Sequence, residues 1–279
     1  MRRFFRQPAL PLLLAGGLSL ALAKPVIVPK PPKPRRVPVA SVDVVQGPVE
    51  LADASQKWRP LDPRKRLATG ERVRTDAGAV ALVRLPWMTL LMAPLTELGI
   101  SNPGVLSTSL ESGRLEQNGA RGIVKLDAGP VRIRGRGHVV VRRDAEATAV
   151  SVFDGAFSVE SSGEVLDLVP GTGAVVGSSH PLRAEVLPAP AGGLQPGSDP
   201  AYVRQGEALD LAWTPAVALA HVQVLGPDDR PLLVRDVAGS PLHIQVPELG
   251  TYRWRVTLRD VRGLEGPPTT YGAFAVVEK

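Results

Sequence analysis

Four histidines are the first residues to consider for chemistry in this sequence, because imidazole binds metals and transfers protons near neutral pH. They are His138, His180, His221 and His243. No two of them have the i, i+4 spacing of a helical zinc site, and the chain contains no cysteine that could supply a thiolate ligand. We therefore expect no metal site, no disulfide and no thiol chemistry.

Other patterns that could support catalysis are incomplete. The stretch GTGAVVG at 171–177 lacks both the Lys-Ser/Thr of a P-loop and a G-x-G-x-x-G spacing, so it predicts a turn between strands. Asp228 and Asp229 lie within Gly-Pro-Asp-Asp-Arg, where carboxylates favour a turn by binding their own backbone. No G-x-S-x-G motif nominates a serine nucleophile. The sequence predicts a protein that is not an enzyme and holds no cofactor.

One short run carries a charged pattern. If VRIRGRGH at 131–138 is a strand, alternation places Arg132, Arg134, Arg136 and His138 on one face. A solvated strand face is the ordinary interpretation. The alternative is an anion-binding stripe directed at cell-wall carboxylates or phosphates, because guanidinium groups bind both.

A second unusual run is LPWMTLLM at 85–92, which puts Trp87 and Met88 at a predicted bend between two strands. Burial beneath a neighbouring loop or domain is one interpretation. The other is an exposed apolar contact for a protein partner or for dimerisation.

The stretch GTYRWRVTLRD at 250–260 shows how alternation separates core from surface. As a strand it directs Tyr252 and Trp254 to one face and Arg253 and Arg255 to the other. We expect the aromatic face to enter a core and the arginine face to be solvated.

The N-terminus predicts export from the cytoplasm. Arg2, Arg3 and Arg6 precede an apolar stretch at 11–23 that ends in an Ala-Leu-Ala cleavage signal. We interpret residues 1–23 as a secretory signal peptide, with a retained N-terminal anchor as the alternative and Sec export favoured over twin-arginine export. The expected location is the periplasm of a Gram-negative bacterium, with no transmembrane segment in the mature chain.

Charge is distributed unevenly along the chain. Residues 24–40 carry six prolines and five basic residues, which predicts an extended basic spacer. Residues 41–279 contain 25 Lys and Arg against 27 Asp and Glu, a net charge of −2. Because nucleic-acid binding requires a basic footprint on the folded domain, we expect no nucleic-acid partner.

The sequence after the spacer predicts β-strands. From residue 41 to 187 short runs of Val, Leu, Ala and Ile end at Gly, Pro, Asp or Ser, and none keeps a helical period. Residues 188–200 are rich in Pro, Gly and Ser and predict a linker. A second β domain is expected over 201–279, so the predicted fold class is all-β.

Residues 41–187 resemble the FecR domain, an extracytoplasmic module named after a regulator of iron-dicitrate signalling. The residues that carry the resemblance are glycines typical of turns and residues typical of strands. The matching positions are Gly47, Trp58, Leu67, Gly70, Val73, Thr75, Ala81, Leu95, Gly113, Val152, Gly155, Val159, Leu168 and Gly171. The resemblance implies a β-sandwich or short β-solenoid.

Residues 201–279 resemble a fibronectin type III or immunoglobulin-like sandwich. Trp213 matches the early core tryptophan of such domains, and Leu249 with Tyr252 matches the corner where a tyrosine fixes the start of a strand. The resemblance implies a fold and says almost nothing about a ligand.

The functional expectation is a non-catalytic periplasmic protein that binds or scaffolds in the cell envelope, with an envelope protein or peptidoglycan as partner. The alternative is a FecR-type signalling component that works through a partner protein. FecR regulators carry a cytoplasmic anti-sigma segment and a membrane helix, whereas here only residues 1–7 precede the apolar stretch. We therefore do not expect this chain to contact a sigma factor itself. Its oligomeric state is left open.

Overall fold

The computed structural model describes residues 38–53, 55–62, 64–86, 88–102, 107–118, 123–177, 181–216 and 219–278. Within these ranges the chain forms 23 strands and no helix, which confirms the all-β prediction. The reason is local: β-branched and aliphatic residues occur in short runs, and glycine or proline interrupts each run before a helix could form.

The first module comprises β1 to β15, which form one hydrogen-bonded network. Its strands are β1 (Pro38–Gln46), β2 (Val49–Ala52), β3 (Trp58–Pro60), β4 (Arg66–Ala68), β5 (Arg72–Thr75), β6 (Val80–Leu85), β7 (Met88–Met92), β8 (Glu97–Asn102), β9 (Ser107–Asn118), β10 (Val124–Ala128), β11 (Val131–Arg143), β12 (Ala147–Ser161), β13 (Glu164–Leu168), β14 (Thr172–Gly177) and β15 (Glu185–Val186). Along its main path the order is β15-β14-β12-β11-β10-β9-β7-β6-β1-β4.

Three long strands, β9, β11 and β12, change partners halfway along. β11 pairs with β10 over Val131–Gly135 and with β9 over Val139–Arg143, while β12 pairs first with β14 and then with β13. Where β11 and β12 bend, Gly137 lies opposite Gly155 and both have positive φ. An ideal Cβ on Gly155 would lie 1.9 Å from the carbonyl oxygen of Arg136, so only glycine allows the two backbones to approach this closely.

The change of partners lets the strands enclose one apolar core. It contains the inward residues of nearly every strand of the first module, among them Leu51, Leu90, Leu110, Ile133 and Val159. On β11 the odd-numbered positions Val131, Ile133, Val139 and Val141 are buried in this core. The even-numbered side chains of β11 therefore form its outer face.

The second module is a sandwich of two sheets. Its strands are β16 (Gly192–Gln195), β17 (Ala201–Arg204), β18 (Ala208–Thr214), β19 (Leu219–Leu225), β20 (Pro231–Ala238), β21 (Leu242–Gln245), β22 (Gly250–Arg259) and β23 (Gly272–Val277). One sheet has the order β16-β18-β21 and the other β17-β23-β22-β19-β20.

Aromatic residues fill the space between these two sheets. Trp213 and Trp254 are buried with ring centroids 6.5 Å apart, and Tyr252 stacks on Phe274 at 5.1 Å. The Tyr252 hydroxyl donates a hydrogen bond to the Glu248 carbonyl oxygen at 2.9 Å, which is the tyrosine contact expected at this corner. The alternation predicted for 250–260 thus correctly identified the core face.

Two predicted boundary segments contribute to the folded body. Within 188–200, predicted as a linker, β16 pairs with β18 and the Pro196 carbonyl accepts a hydrogen bond from Trp254 Nε1 at 3.1 Å. Its Pro- and Gly-rich composition suits an edge strand because one side needs no ladder partner. Residues 38–40, predicted as the end of the spacer, begin β1, and the signal peptide and residues 24–37 lie outside the described residues.

The described residues belong to a single compact unit that contains both modules. Among the residues described, none belongs to a helix long and apolar enough to span a membrane.

Candidate functional site

A group of charged residues that contact one another lies where the two modules meet. We define the inter-module cluster as nine residues, eight of which lie on strands. They are Arg114 and Glu116 on β9, His138 and Arg142 on β11, His221 on β19, Asp236 on β20, Arg255 and Arg259 on β22, and Glu265 in the segment after β22.

Local pairing explains why the first module brings its members together. β9 and β11 are antiparallel, with Glu116 opposite Val140 and Arg114 opposite Arg142. Residues directly opposite each other share a face of the sheet. The outer face of these two strands therefore presents a compact set of charges.

Arg114 is the centre of the cluster and is only 3% exposed. Its Nε and Nη2 atoms donate to both carboxylate oxygens of Glu265 at 2.8–3.1 Å, the two-pronged geometry that guanidinium and carboxylate favour. Its Nη1 and Nη2 atoms also contact Glu116 Oε2 at 3.2 Å. Glu265 is fully buried, and its backbone N–H donates to Ser151 Oγ at 2.9 Å.

The second module contributes cations of its own. Arg255 Nη2 donates to Glu116 Oε1 at 2.9 Å, and Arg259 Nη1 donates to Asp236 Oδ2 at 3.1 Å. From the first module, Arg142 reaches Asp236 at 2.8 Å and Glu265 at 3.1 Å. Ion pairs thus cross between the modules in both directions.

The electrostatics of the cluster favour ionised carboxylates. Burial by itself raises the pKa of Glu265, but Arg114 and Arg142 more than offset burial and bring that pKa to about 2. Burial also acts to raise the pKa of Glu116, yet the hydrogen bond from His138 and the charge of Arg114 hold it well below its usual value. The same balance, with His221 and Arg142 as the opposing groups, lowers the pKa of Asp236.

His221 has the opposite preference. Burial and the nearby positive charge of Arg114 lower its pKa below the ordinary histidine value. Its Nδ1 atom contacts Asp236 Oδ1 at 2.8 Å, while Nε2 is buried without a hydrogen-bond partner among the described residues. The neutral imidazole is therefore the form that fits this position.

Apolar contacts flank the charged cluster on two sides. On one side Val234 of β20 packs with Val80, Leu91 and Ala93 of the first module. On the other side Leu264 packs with a group of first-module residues, namely Ala149, Val175, Leu187, Ala147 and Phe153. These contacts shield the ion pairs from water, which strengthens their mutual attraction.

The predicted arginine stripe is present on the outer face of β11. Arg132, Arg134 and Arg136 are exposed, and Arg132 pairs with Glu160 at 3.1 Å. Within the described part of the chain, Arg134 and Arg136 form no ion pair. Their face also carries Lys125, opposite Arg134, and several acids, namely Asp127 opposite Arg132, Glu160 and Asp167. Positive and negative charges are thus interspersed here.

His138 is on the same face but does not belong to this exposed group. It is half-buried, contacts Glu116 Oε1 at 3.1 Å and lies edge-on to Phe153 with ring centroids 4.9 Å apart. The second module covers the outer face of β11 from this point onward, which the sequence of β11 does not signal. The four residues thus share one face of β11, but only the three arginines are exposed, and the anion-binding interpretation stays a prediction.

The described part of the run at 85–92 does not form the exposed apolar contact that one interpretation predicted. Met88 is 4% exposed and packs in the core of the first module, in agreement with the burial interpretation. Trp87 lies outside the described residues.

The arginine face of β22 also differs from expectation. Arg253 remains at the surface, where it pairs with Asp229 and lies over the Tyr271 ring at 4.8 Å. Arg255 instead pairs with Glu116 of the first module, and Arg259 lies near Arg142 of that module, with Thr257 buried between them. Sequence reasoning missed Arg114, Glu116 and Glu265. The only available signal was that Arg114 and Glu116 are charges in a long strand whose neighbours are apolar.

The described residues contain no group of three or more His, Cys, Asp or Glu side chains placed to hold a metal ion. The charged groups of the inter-module cluster bind one another, so the arrangement can hold two modules together and respond to protonation.

Comparison with known proteins gives limited relationships. No family model and no curated protein matches the sequence. Two crystal structures of a candidate anti-sigma factor from Parabacteroides distasonis ATCC 8503 share 17% identity with this chain, cover 41% of it and have a TM-score of 0.38. This chain spans 59% of the length of that protein.

Two further structures overlap more of the chain at lower similarity. Dimeric latent PorU from Porphyromonas gingivalis covers 86% of this chain and 30% of its own, with 8% identity and a TM-score of 0.23. SGBP-B of a Bacteroides ovatus mixed-linkage glucan utilization locus, in complex with a mixed-linkage heptasaccharide, covers 86% and 60% with 10% identity and a TM-score of 0.20.

Proposed function

We propose that this chain is a non-catalytic component of a Gram-negative cell envelope that acts by binding a partner, with its two modules held as one body. The observation that carries the proposal is the buried ionic cluster between the modules. Its charged groups are consumed in contacts with each other, and both modules contribute cations and carboxylates to it. The periplasmic location follows from the predicted signal peptide.

The cluster resists separation because each side depends on the other. If the second module left, Arg114 would lose Glu265, which supplies its two-pronged contact. Separation would also return to water the apolar residues that Val234 and Leu264 now cover, at a cost that grows with the apolar area exposed. A body of this kind suits a scaffold, since a partner bound to one module is held at a fixed distance from the other.

The exposed outer face of β11 is the surface that we propose for the partner. Its three arginines are interspersed with Asp127, Glu160 and Asp167. Alternating charge favours a protein surface with complementary charges over a wall polymer of one sign. An envelope protein is therefore the favoured partner and peptidoglycan the second.

Signalling through such a partner is the second candidate role. The favouring observation is the resemblance of the first module to the FecR domain, whose glycines Gly47, Gly70, Gly113, Gly155 and Gly171 all have positive φ in the structure. At each position the backbone has a conformation that other residues adopt only with strain. The anti-sigma description of one structural neighbour belongs to the same functional class.

Crosslinking in intact cells tests the proposal. A photoactivatable residue at Arg134 should give a discrete protein adduct, and the same residue at Tyr202, an exposed position on the second module, should give much less of it. Adducts that co-sediment only with peptidoglycan would redirect the proposal to the wall. The absence of any adduct at either position would contradict it.

A deletion strain then separates the two roles. If the protein signals, transcript levels of the genes that encode the captured partner or its pathway should change on deletion. If it scaffolds, those transcripts should stay constant while the partner loses its position in the envelope.

A further inference from the structure

His221 occupies an unusual place in the inter-module cluster. It is 4% exposed, lies on β19 of the second module and faces the first module. Charged groups surround it from every packed element: Asp236 on β20, Arg259 on β22, Arg114 on β9, Arg142 on β11, and Glu265. A titratable group at this interface can couple protonation to the contact between modules.

The geometry distinguishes the two protonation states of His221. In the neutral ring, Nδ1–H donates to Asp236 Oδ1 at 2.8 Å and Nε2 needs no acceptor. A second proton would sit on Nε2, which is buried and has no acceptor among the described residues. A buried donor without an acceptor is costly, and the added charge would lie near Arg114.

The cluster also cannot absorb another positive charge. Its arginines are Arg114, Arg142, Arg255 and Arg259, and its carboxylates are Glu116, Asp236 and Glu265. Four cations therefore already face three anions while His221 is neutral. Protonation of His221 would increase this imbalance.

From this arrangement we propose that the junction between the modules is an acid-sensitive latch, closed when His221 is neutral and released when it is protonated. This goes beyond the proposed binding role because it adds a condition under which the two modules separate. Separation would expose Arg142, Glu116 and the apolar residues now covered by Val234 and Leu264.

The pH range in which the latch opens follows from the preference of the docked state for a neutral His221. The docked state holds His221 neutral, whereas an undocked His221 takes up a proton near the ordinary histidine value, about 6.5. Docking is therefore complete above about pH 6.5 and weakens as the pH falls below it. Because only one proton is taken up, the docking constant can fall by at most about tenfold per pH unit. The carboxylates remain ionised in this range, because the pKa of Glu265 is about 2 and that of Glu116 is well below its usual value.

Distance measurement between the modules tests the latch. Because the chain has no native cysteine, Glu164→Cys and Thr270→Cys introduce two labelling sites, one exposed on each module. Between pH 7.5 and pH 5 the distance distribution of the labelled protein should broaden towards longer values. An unchanged distribution over this range would overturn the proposal.

Three histidine variants test whether His221 is responsible for the pH dependence. His221→Gln, which can still donate to Asp236, should remove the pH dependence. His243→Gln should preserve it, because His243 is 74% exposed and pairs with Asp210 away from the junction. His138→Gln tests the other histidine of the cluster, which contacts Glu116. Loss of the pH dependence in His138→Gln with retention in His221→Gln would refute the assignment to His221.

A direct measurement covers the case in which His221→Gln does not fold. NMR titration of the unsubstituted protein should show the His221 ring still neutral at pH 6, where a solvent-exposed ring is mostly protonated. A His221 ring that takes up its proton at or above pH 6.5 with the modules docked would contradict the latch.

Discussion

A buried arginine persists only where carboxylates surround it, and Arg114 shows how strongly this couples distant parts of the chain. Its principal partner, Glu265, is 151 residues away in sequence. Each is buried, so neither charge could be solvated if the other were removed. This mutual dependence makes the pair a sensitive point of the molecule, even though replacing both residues together can be tolerated in such sites.

Substitution of Glu265 tests this dependence. Glu265→Gln keeps the shape but leaves Arg114 with Glu116 as its remaining carboxylate, and we expect the free energy of unfolding to fall by about 3–5 kcal/mol. Arg132→Gln is the matched control, because its pair with Glu160 is exposed and such pairs contribute below about 1 kcal/mol. Urea denaturation of the two variants measures both. Equal losses would show that the buried pair has no special role.

At the scale of elements, the bend shared by β11 and β12 fixes the shape of the first module. The two paired strands approach closely at Gly137 and Gly155, where each backbone occupies the space that a side chain would need. The bend lets the outer face of β11 continue from the exposed arginines to the junction with the second module. Residues in one strand thus meet two different environments.

A pair of glycine substitutions separates crowding from backbone strain. Gly155 and Gly163 have φ of +83° and +84°, but a Cβ at Gly155 would meet the Arg136 carbonyl while a Cβ at Gly163 would meet nothing within 4 Å. Gly163→Ala should therefore cost about 1 kcal/mol for the positive φ alone. Gly155→Ala should cost several times more or prevent folding, as measured by thermal unfolding and soluble yield. Similar unfolding midpoints for both variants would argue against the close approach of the two strands.

The element scale also shows where sequence patterns were sufficient. Alternation in 250–260 identified Tyr252 and Trp254 as core residues because successive side chains of a strand point to opposite faces and the aromatic residues all fall on one of them. Composition was less informative for 188–200, since an edge strand and a linker both tolerate proline and glycine. Strand β16 exists because it pairs with β18, which composition cannot reveal.

At the scale of the whole molecule, the cluster links stability to pH. Glu265 has a pKa of about 2 in the folded protein, below the ordinary value of 4.5. Its contribution to stability is complete above about pH 4.5 and is lost as the pH falls towards 2. The difference between these two pKa values corresponds to a loss in the free energy of unfolding on the order of 3 kcal/mol.

Acid unfolding of the intact protein and of Glu265→Gln checks this dependence. The unsubstituted protein should lose stability steeply between pH 4.5 and pH 2, and Glu265→Gln should show a shallower slope in the same range because the titrating group is gone. Parallel slopes would mean that other carboxylates dominate acid unfolding. The window lies below that of His221, so the two effects are separable in one titration series.

The amino-acid sequence by itself determined the all-β class, the core faces of β11 and β22 and the lack of a recognisable catalytic motif, because these depend on residue type and on a two-residue period. The tertiary structure decided which polar faces are buried. His138, Arg255 and Arg259 have the local pattern of solvated strand residues, yet their side chains are only 14%, 15% and 19% exposed. Arg255 meets its carboxylate, Glu116, 139 residues away in the sequence and in the other module. The energy of a buried ion pair depends on that partner and on the exclusion of water, neither of which is encoded within a single strand.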